Sequence, residues 1–128
     1  MSISIAVNTR NAQLTTYGAN FNSGTLVLYS GSVPATADAS LGAAVALVTL
    51  PFSASAFGTA SAGSMTANAI TQTNAGASGT ASFYRCFNSS SVCIEQGLVG
   101  TSGADLNMNT TAIVAGGPVQ ITSFIRTE

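Results

Sequence analysis

A chain of 128 residues with three basic and four acidic side chains, and neither histidine nor lysine, excludes more chemistry than it invites. Charged residues make up 5% of it, against about 25% in an average soluble domain, so there is no basic stripe for nucleic acid or for an anionic membrane surface. Disorder is excluded too: 46% of the residues are hydrophobic, whereas disordered chains combine low hydrophobicity with high net charge.

The length suits one domain with its own core. Residues 1–24 read as an arm and a short helix packed on a β domain spanning 25–128. At the start, Ile3, Ile5 and Val7 alternate with small residues. That period suits an arm adding to a neighbour's sheet, and equally the first strand of the chain's own sheet. No basic or long apolar run precedes it, so no secretory signal is expected. Residues 10–17 read as a helix capped by Asn8 or Thr9 and stopped at Gly18, with Leu14 and Tyr17 on one face.

Strands and turns follow. Residues 25–29 are apolar on both faces, as a central, doubly covered strand would be. Residues 30–34 end it, and 35–40 read as a loop. Residues 45–50 form the next strand, which Pro51 confines to a strand end or a sheet edge. The surrounding apolar stretch is interrupted by Gly42, Thr49 and Pro51, short of the roughly 20 residues that span a bilayer as a helix. Residues 54–79 are rich in Ala, Ser, Gly and Thr, with Phe57, Met65 and Ile70 as anchors, and a strand is expected over 64–71. The clearest hairpin is 80–97, with Phe83, Arg85 and Phe87 alternating with Tyr84 and Cys86, and 88–91 as its turn. Two further strands, 111–115 and 119–125, are joined by Gly116, Gly117 and Pro118. About eight short, regularly spaced strands predict an all-β, single-domain β-sandwich or jelly roll with a short N-terminal helix.

Without His or Lys, the Ser-His-Asp, Cys-His, Ser-Lys and Schiff-base arrangements are unavailable. A zinc site would lack imidazole. Only a carboxylate pair from Asp38, Glu95, Asp105 and Glu128 is left, in a chain with no tryptophan, so neither a catalytic residue nor a cofactor is expected. Asp105, Asn107 and Asn109 begin like a calcium loop, but Thr110 and Gly116 stand where that loop needs Gly and Glu. A turn with self-bonded Asp and Asn side chains is expected instead.

Cys86 and Cys93 face each other if the hairpin loop has four residues, within adjustment distance of a disulfide. Reduced thiols are the favoured reading, because so short a loop gains little from cross-linking. Arg85 sits among apolar residues and needs a partner, with Asp105 the best-placed carboxylate for a structural ion pair.

Residues 26–35, LVLYSGSVPA, resemble the LRIYSGTQPA stretch of a family of small tailed-bacteriophage virion proteins. Residues 77–85 (ASGTASFYR), 100–110 (GTSGADLNMNT) and 10–14 (RNAQL) are similar to the same family, so the resemblance covers most of the chain. It implies a virion structural protein, made in the bacterial host cytoplasm, with no catalytic residues. The pair Cys86 and Cys93 departs from the family pattern. Expected partners are copies of the chain itself, as dimer or trimer, and the major capsid protein or other virion proteins. Nucleic acid and membrane are not expected. The role that follows is capsid decoration or cement; a tail, neck or baseplate component is the alternative, and a receptor- or glycan-binding module ranks third.

Overall fold

A computed structural model describes residues 4–108, 110–121 and 124–127. The chain runs α1 (Val7–Ala19), β1 (Thr25–Ser30), β2 (Val45–Pro51), β3 (Ser64–Thr66), β4 (Thr73–Asn74), β5 (Gly79–Thr80), β6 (Phe83–Phe87), β7 (Cys93–Gly100), β8 (Leu106–Asn107), β9 (Ala112–Ile113), β10 (Pro118–Val119) and β11 (Ile125–Thr127). Among the described residues it is a mostly β protein with one short helix. A five-stranded sheet has the order β2-β1-β6-β7-β8, antiparallel except for the parallel β7/β8 pair. Three two-stranded ribbons, β10/β4, β11/β3 and β5/β9, complete the architecture.

β1 is the doubly covered strand its composition predicts. Leu26 and Leu28 enter the main core on one face, while Val27 and Tyr29 pack with Phe83 on the other. Tyr29 and Phe83 stack with centroids 5.0 Å apart. β2 lies at the sheet edge and ends on Pro51, where the missing N–H disturbs no ladder. Leu47 is an extra residue there, since Leu28 pairs with Val48 and Tyr29 with Ala46, a β-bulge that turns Leu47 into the core. The main core is closed by Phe21, Phe52, Ile70, Ile113 and Phe124. Phe21 meets Phe52 and Phe57 edge-on, at 5.6 and 5.1 Å.

The helix is longer than expected. Ala6, not Asn8 or Thr9, is its N-cap, and it makes no side-chain cap bond. The Ala6 carbonyl accepts from Arg10 N–H at 3.0 Å, and the helix starts at Val7, three residues earlier than expected. Gly18 does not stop it. A Cβ there would lie 3.1 Å from Met65 Sδ and 3.3 Å from the Phe57 ring, so Gly18 lets the helix approach the β layer closely. With three Thr and two Asn in its 13 residues, α1 has weak intrinsic propensity and is held by packing. Leu14 is buried, and Asn11 Oδ1 accepts from Gly63 N–H at 2.9 Å.

The expected strand over 64–71 shrinks to β3. Its small residues bury too little to extend the pairing, and Asn68 N–H bonds back to the Ala56 carbonyl at 2.8 Å. The expected strand over 119–125 is divided between β10 and β11, and its residues 122 and 123 lie outside the described residues. The strand over 111–115 is reduced to β9.

Candidate assembly surface

Two polar clamps occupy opposite faces of the β6/β7 pair and take in Arg85, Glu95 and Arg126, three of the six charged side chains among the described residues. On the main-core side, Glu95 sits opposite Cys86. Its carboxylate accepts from Tyr84 OH at 2.7 Å, from Tyr17 OH, and from Arg126 Nε at 2.8 Å. Arg126 also forms an ion pair with Glu95, donates to Tyr84 OH, and lies over the Phe124 ring at 4.4 Å. One half-buried carboxylate thus joins α1, β6, β7 and β11. Burial pushes the Tyr84 hydroxyl well above its ordinary ionisation range, and Arg126 only partly opposes that. Tyr17 shifts the same way for the same reason.

Tyr84 reaches Glu95 because Gly97 is its cross-strand partner. A Cβ on Gly97 would lie 2.6 Å from the Tyr84 ring and hydroxyl. The phenol therefore crosses β7 where any other residue would block it.

On the other face Arg85 is buried, at 5% exposure, and its partner is not Asp105. Nε donates to Gln96 Oε1 at 2.9 Å, and one terminal nitrogen donates to the carbonyls of Ala39 and Thr36 at 2.7 and 3.2 Å. Gln96 Nε2 donates to the Pro34 carbonyl at 2.8 Å. The loop after β1 is therefore pinned over Val27, Tyr29 and Phe83 by its own main chain. Asp105 instead accepts from Leu98 N–H at 2.9 Å. The expected ion pair fails because backbone carbonyls satisfy the guanidinium without a second buried charge.

The cysteines are also differently placed. Asn88 N–H bonds to the Val92 carbonyl and Ser91 N–H to the Asn88 carbonyl, each at 2.9 Å. Asn88 Oδ1 accepts from Ser90 and Val92 N–H at 2.9 and 3.0 Å. With Ser91 at a φ of 63°, the loop closes over three residues, not four. Cys93 then pairs with Phe87, Ile94 is an extra residue, and Cys86 faces Glu95. Both thiols are free. Burial in the main core drives the Cys86 thiol far above its ordinary range. The Cys93 thiol lies 3.6 Å from the Glu95 carbonyl oxygen, within bonding range for sulfur.

The loop at Asp105 is the self-bonded turn expected only at Asn107, whose Oδ1 accepts from Ala104 N–H at 3.0 Å; the Asp105 carboxylate bonds to β7, and Asn109 lies outside the described residues. Among the described residues no three His, Cys, Asp or Glu side chains gather to hold a metal ion. No helix among them is long and apolar enough to cross a membrane.

The outer surface is nearly free of charge. Asp38 and Asp105 are the exposed charged side chains among the described residues; Arg10, Glu95 and Arg126 are half-buried. Large apolar side chains are exposed instead, among them Val114 at 66%, Val92 at 59% and Val45 at 51%. Of the expected arm, Ile5 and Val7 are exposed. Val7 opens α1 and does not belong to a strand, while Ile3 lies outside the described residues.

Sequence reading missed the Glu95 clamp. Its one local signal is a carboxylate between Ile94 and Gln96 in a half-buried strand, which demands a partner but does not say which arginine supplies it. No protein-family model, curated protein or solved structure matches the chain.

Proposed function

We propose that the chain is a non-catalytic structural subunit of a tailed-bacteriophage virion, a decoration or cement protein that stabilises the head through contacts with its own copies and with the major capsid protein. The observation that carries this reading is the surface. Only two charged side chains among the described residues are exposed, both acidic, while Val114, Val92, Val45 and Leu98 stand in solvent. Free proteins keep copies apart with charge and protect sheet edges with lysine. A subunit whose resting state is an assembly needs neither. The similarity of residues 26–35, 77–85 and 100–110 to small virion proteins supplies the particle. The same reading takes the five-stranded sheet as one layer of a β-sandwich and the three ribbons as the rudiment of the other.

Binding of this kind draws on apolar burial and backbone hydrogen bonds, so salt affects it weakly. The test has two parts. Sedimentation of the purified chain should show a dimer or trimer that persists in molar salt. Quantitative mass spectrometry of intact particles should then find the chain in high copy number, as a head component requires. A low copy number moves it to the tail, neck or baseplate. A chain that stays a single copy and is absent from particles ends the proposal.

A further inference from the structure

β1 and β2 are antiparallel neighbours, paired as far as Ser30 and Val45, a join that about two to five residues can make. Residues 31–44 make it instead, with neither helix nor strand among them. Connections of that length without structure of their own are uncommon in compact domains and usually carry function. The two ends meet: a Cβ on Gly31 would lie 3.4 Å from Ala44 Cα, so the segment is a loop of the Ω type. Gly31 and Gly42 stand near its ends with φ of 104° and 61°, backbone that glycine enters freely. Two internal turns, Ala39 N–H to the Thr36 carbonyl at 3.1 Å and Ala44 N–H to the Leu41 carbonyl at 3.2 Å, belong to the loop alone. None of its residues is buried. Beneath it, Val27, Tyr29 and Phe83 are buried as a cluster separate from the main core.

We propose that residues 31–44 are a hinged lid that lifts as a unit while the main core stays folded, uncovering Val27, Tyr29 and Phe83 and the Arg85 guanidinium beside them. The fastening has the form such a lid needs. Arg85 donates to the Thr36 and Ala39 carbonyls, and Gln96 to the Pro34 carbonyl, so each of these bonds joins lid main chain to a side chain of the sheet. When the lid lifts, water replaces the lost partner on both sides. Arg85 Nε keeps its bond to Gln96 Oε1, because the two residues are cross-strand partners within the sheet. These polar groups are therefore not left buried and unpaired. The apolar cost is confined to the small second cluster and to Leu41 and Ala44, which pack against it. Opening thus costs less free energy than global unfolding. The base stays fixed where Ser82 Oγ donates to the Gly31 carbonyl at 2.8 Å. The uncovered face is continuous with Leu98, which lies opposite Phe83 and is already exposed. The position of the lid decides how much apolar surface this side of the sheet shows.

Lifting is a property of a single copy, so it stands or falls apart from the assembly reading. The test uses the full-length chain in a Cys93→Ala background. Cys86, fully buried in the main core, reports global unfolding. Val27→Cys adds a second thiol under the lid. Without denaturant, a thiol reagent should modify position 27 at least about tenfold faster than Cys86. The rate at position 27 should also rise less steeply with urea, because lifting the lid exposes less surface than unfolding does. Equal rates with equal urea dependence would overturn the proposal. If Val27→Cys itself loosens the core, seen as a reactive Cys86, the Cys93→Ala chain alone decides. Added protease should cut it within residues 31–44 at a rate that depends less on urea than Cys86 labelling does, and the nicked chain should keep Cys86 unreactive. Cleavage that follows the urea dependence of Cys86 labelling, or a nicked chain whose Cys86 reacts at once, makes the lid an inseparable part of the main fold and ends the proposal.

Discussion

Arg126 Nε donates to Glu95 Oε1 at 2.8 Å, and this bond ties the last described strand to the middle of the five-stranded sheet. The same carboxylate holds Tyr17 of α1 and Tyr84 of β6. Both ends of the described chain are therefore latched to one acidic group. Replacing Glu95 with Gln leaves Arg126 half-buried without its counter-ion. We expect a loss of about 3 kcal/mol in chemical denaturation, in the range for breaking one side of a buried pair. Arg126→Met should cost a similar amount. The double variant should cost clearly less than the sum, because the two changes remove one interaction.

Arg85 holds the loop after β1 through the Thr36 and Ala39 carbonyls. Arg85→Met keeps the apolar stem and removes the donors. The expected result is a destabilisation of about 1–3 kcal/mol and cleavage of the loop by added protease at sites between residues 34 and 40. Asp105→Asn should leave both readouts close to native, because Asp105 does not touch Arg85. Limited proteolysis followed by mass spectrometry decides the matter.

Gly97→Ala tests the Tyr84 crossing. The added methyl meets the phenol at 2.6 Å, and strand pairing prevents retreat. A loss of about 1–3 kcal/mol is expected, as for overpacking of a tight core. Combining it with Tyr84→Leu, which withdraws the ring, should recover part of that loss in a thermal melt. Equal, additive losses would show that the ring and the glycine are independent.

Alkaline pH should loosen the fold in a defined order. The Cys86 thiol and Tyr84 hydroxyl are each raised by burial above ordinary values of 9.0 and 10.0. The unfolded chain therefore loses these protons at lower pH than the folded chain does. Their stabilising effect is full below pH 9 and is lost progressively above it, first through the thiol and then through the phenol. Melting temperature against pH should bend downward from about pH 9. Cys86→Ala should flatten the first part of the bend, with a modest uniform loss from the smaller side chain. In the native protein a thiol reagent should label Cys93 quickly and Cys86 only after denaturation, since Cys86 is fully buried.

How much was legible in the chain alone follows from the range of each interaction. The apolar run of residues 25–29 announced a strand covered on both faces, because only burial on both sides rewards five apolar residues in succession. Pro51 announced an edge, because a missing donor is tolerated only where no ladder needs it. The alternation of Phe83, Tyr84, Arg85, Cys86 and Phe87 and the Asn-Ser-Ser-Ser turn announced the hairpin. The scarcity of charge announced an outer surface with few ionic groups, and among the described residues only Asp38 and Asp105 are exposed charges. The partner of Arg85, the Glu95 latch and the separation of Cys86 from Cys93 were decided only in three dimensions. Each depends on which distant backbone arrives, or on one residue of loop length at Ser91, and a single-residue change of register moves a side chain to the other face of a sheet.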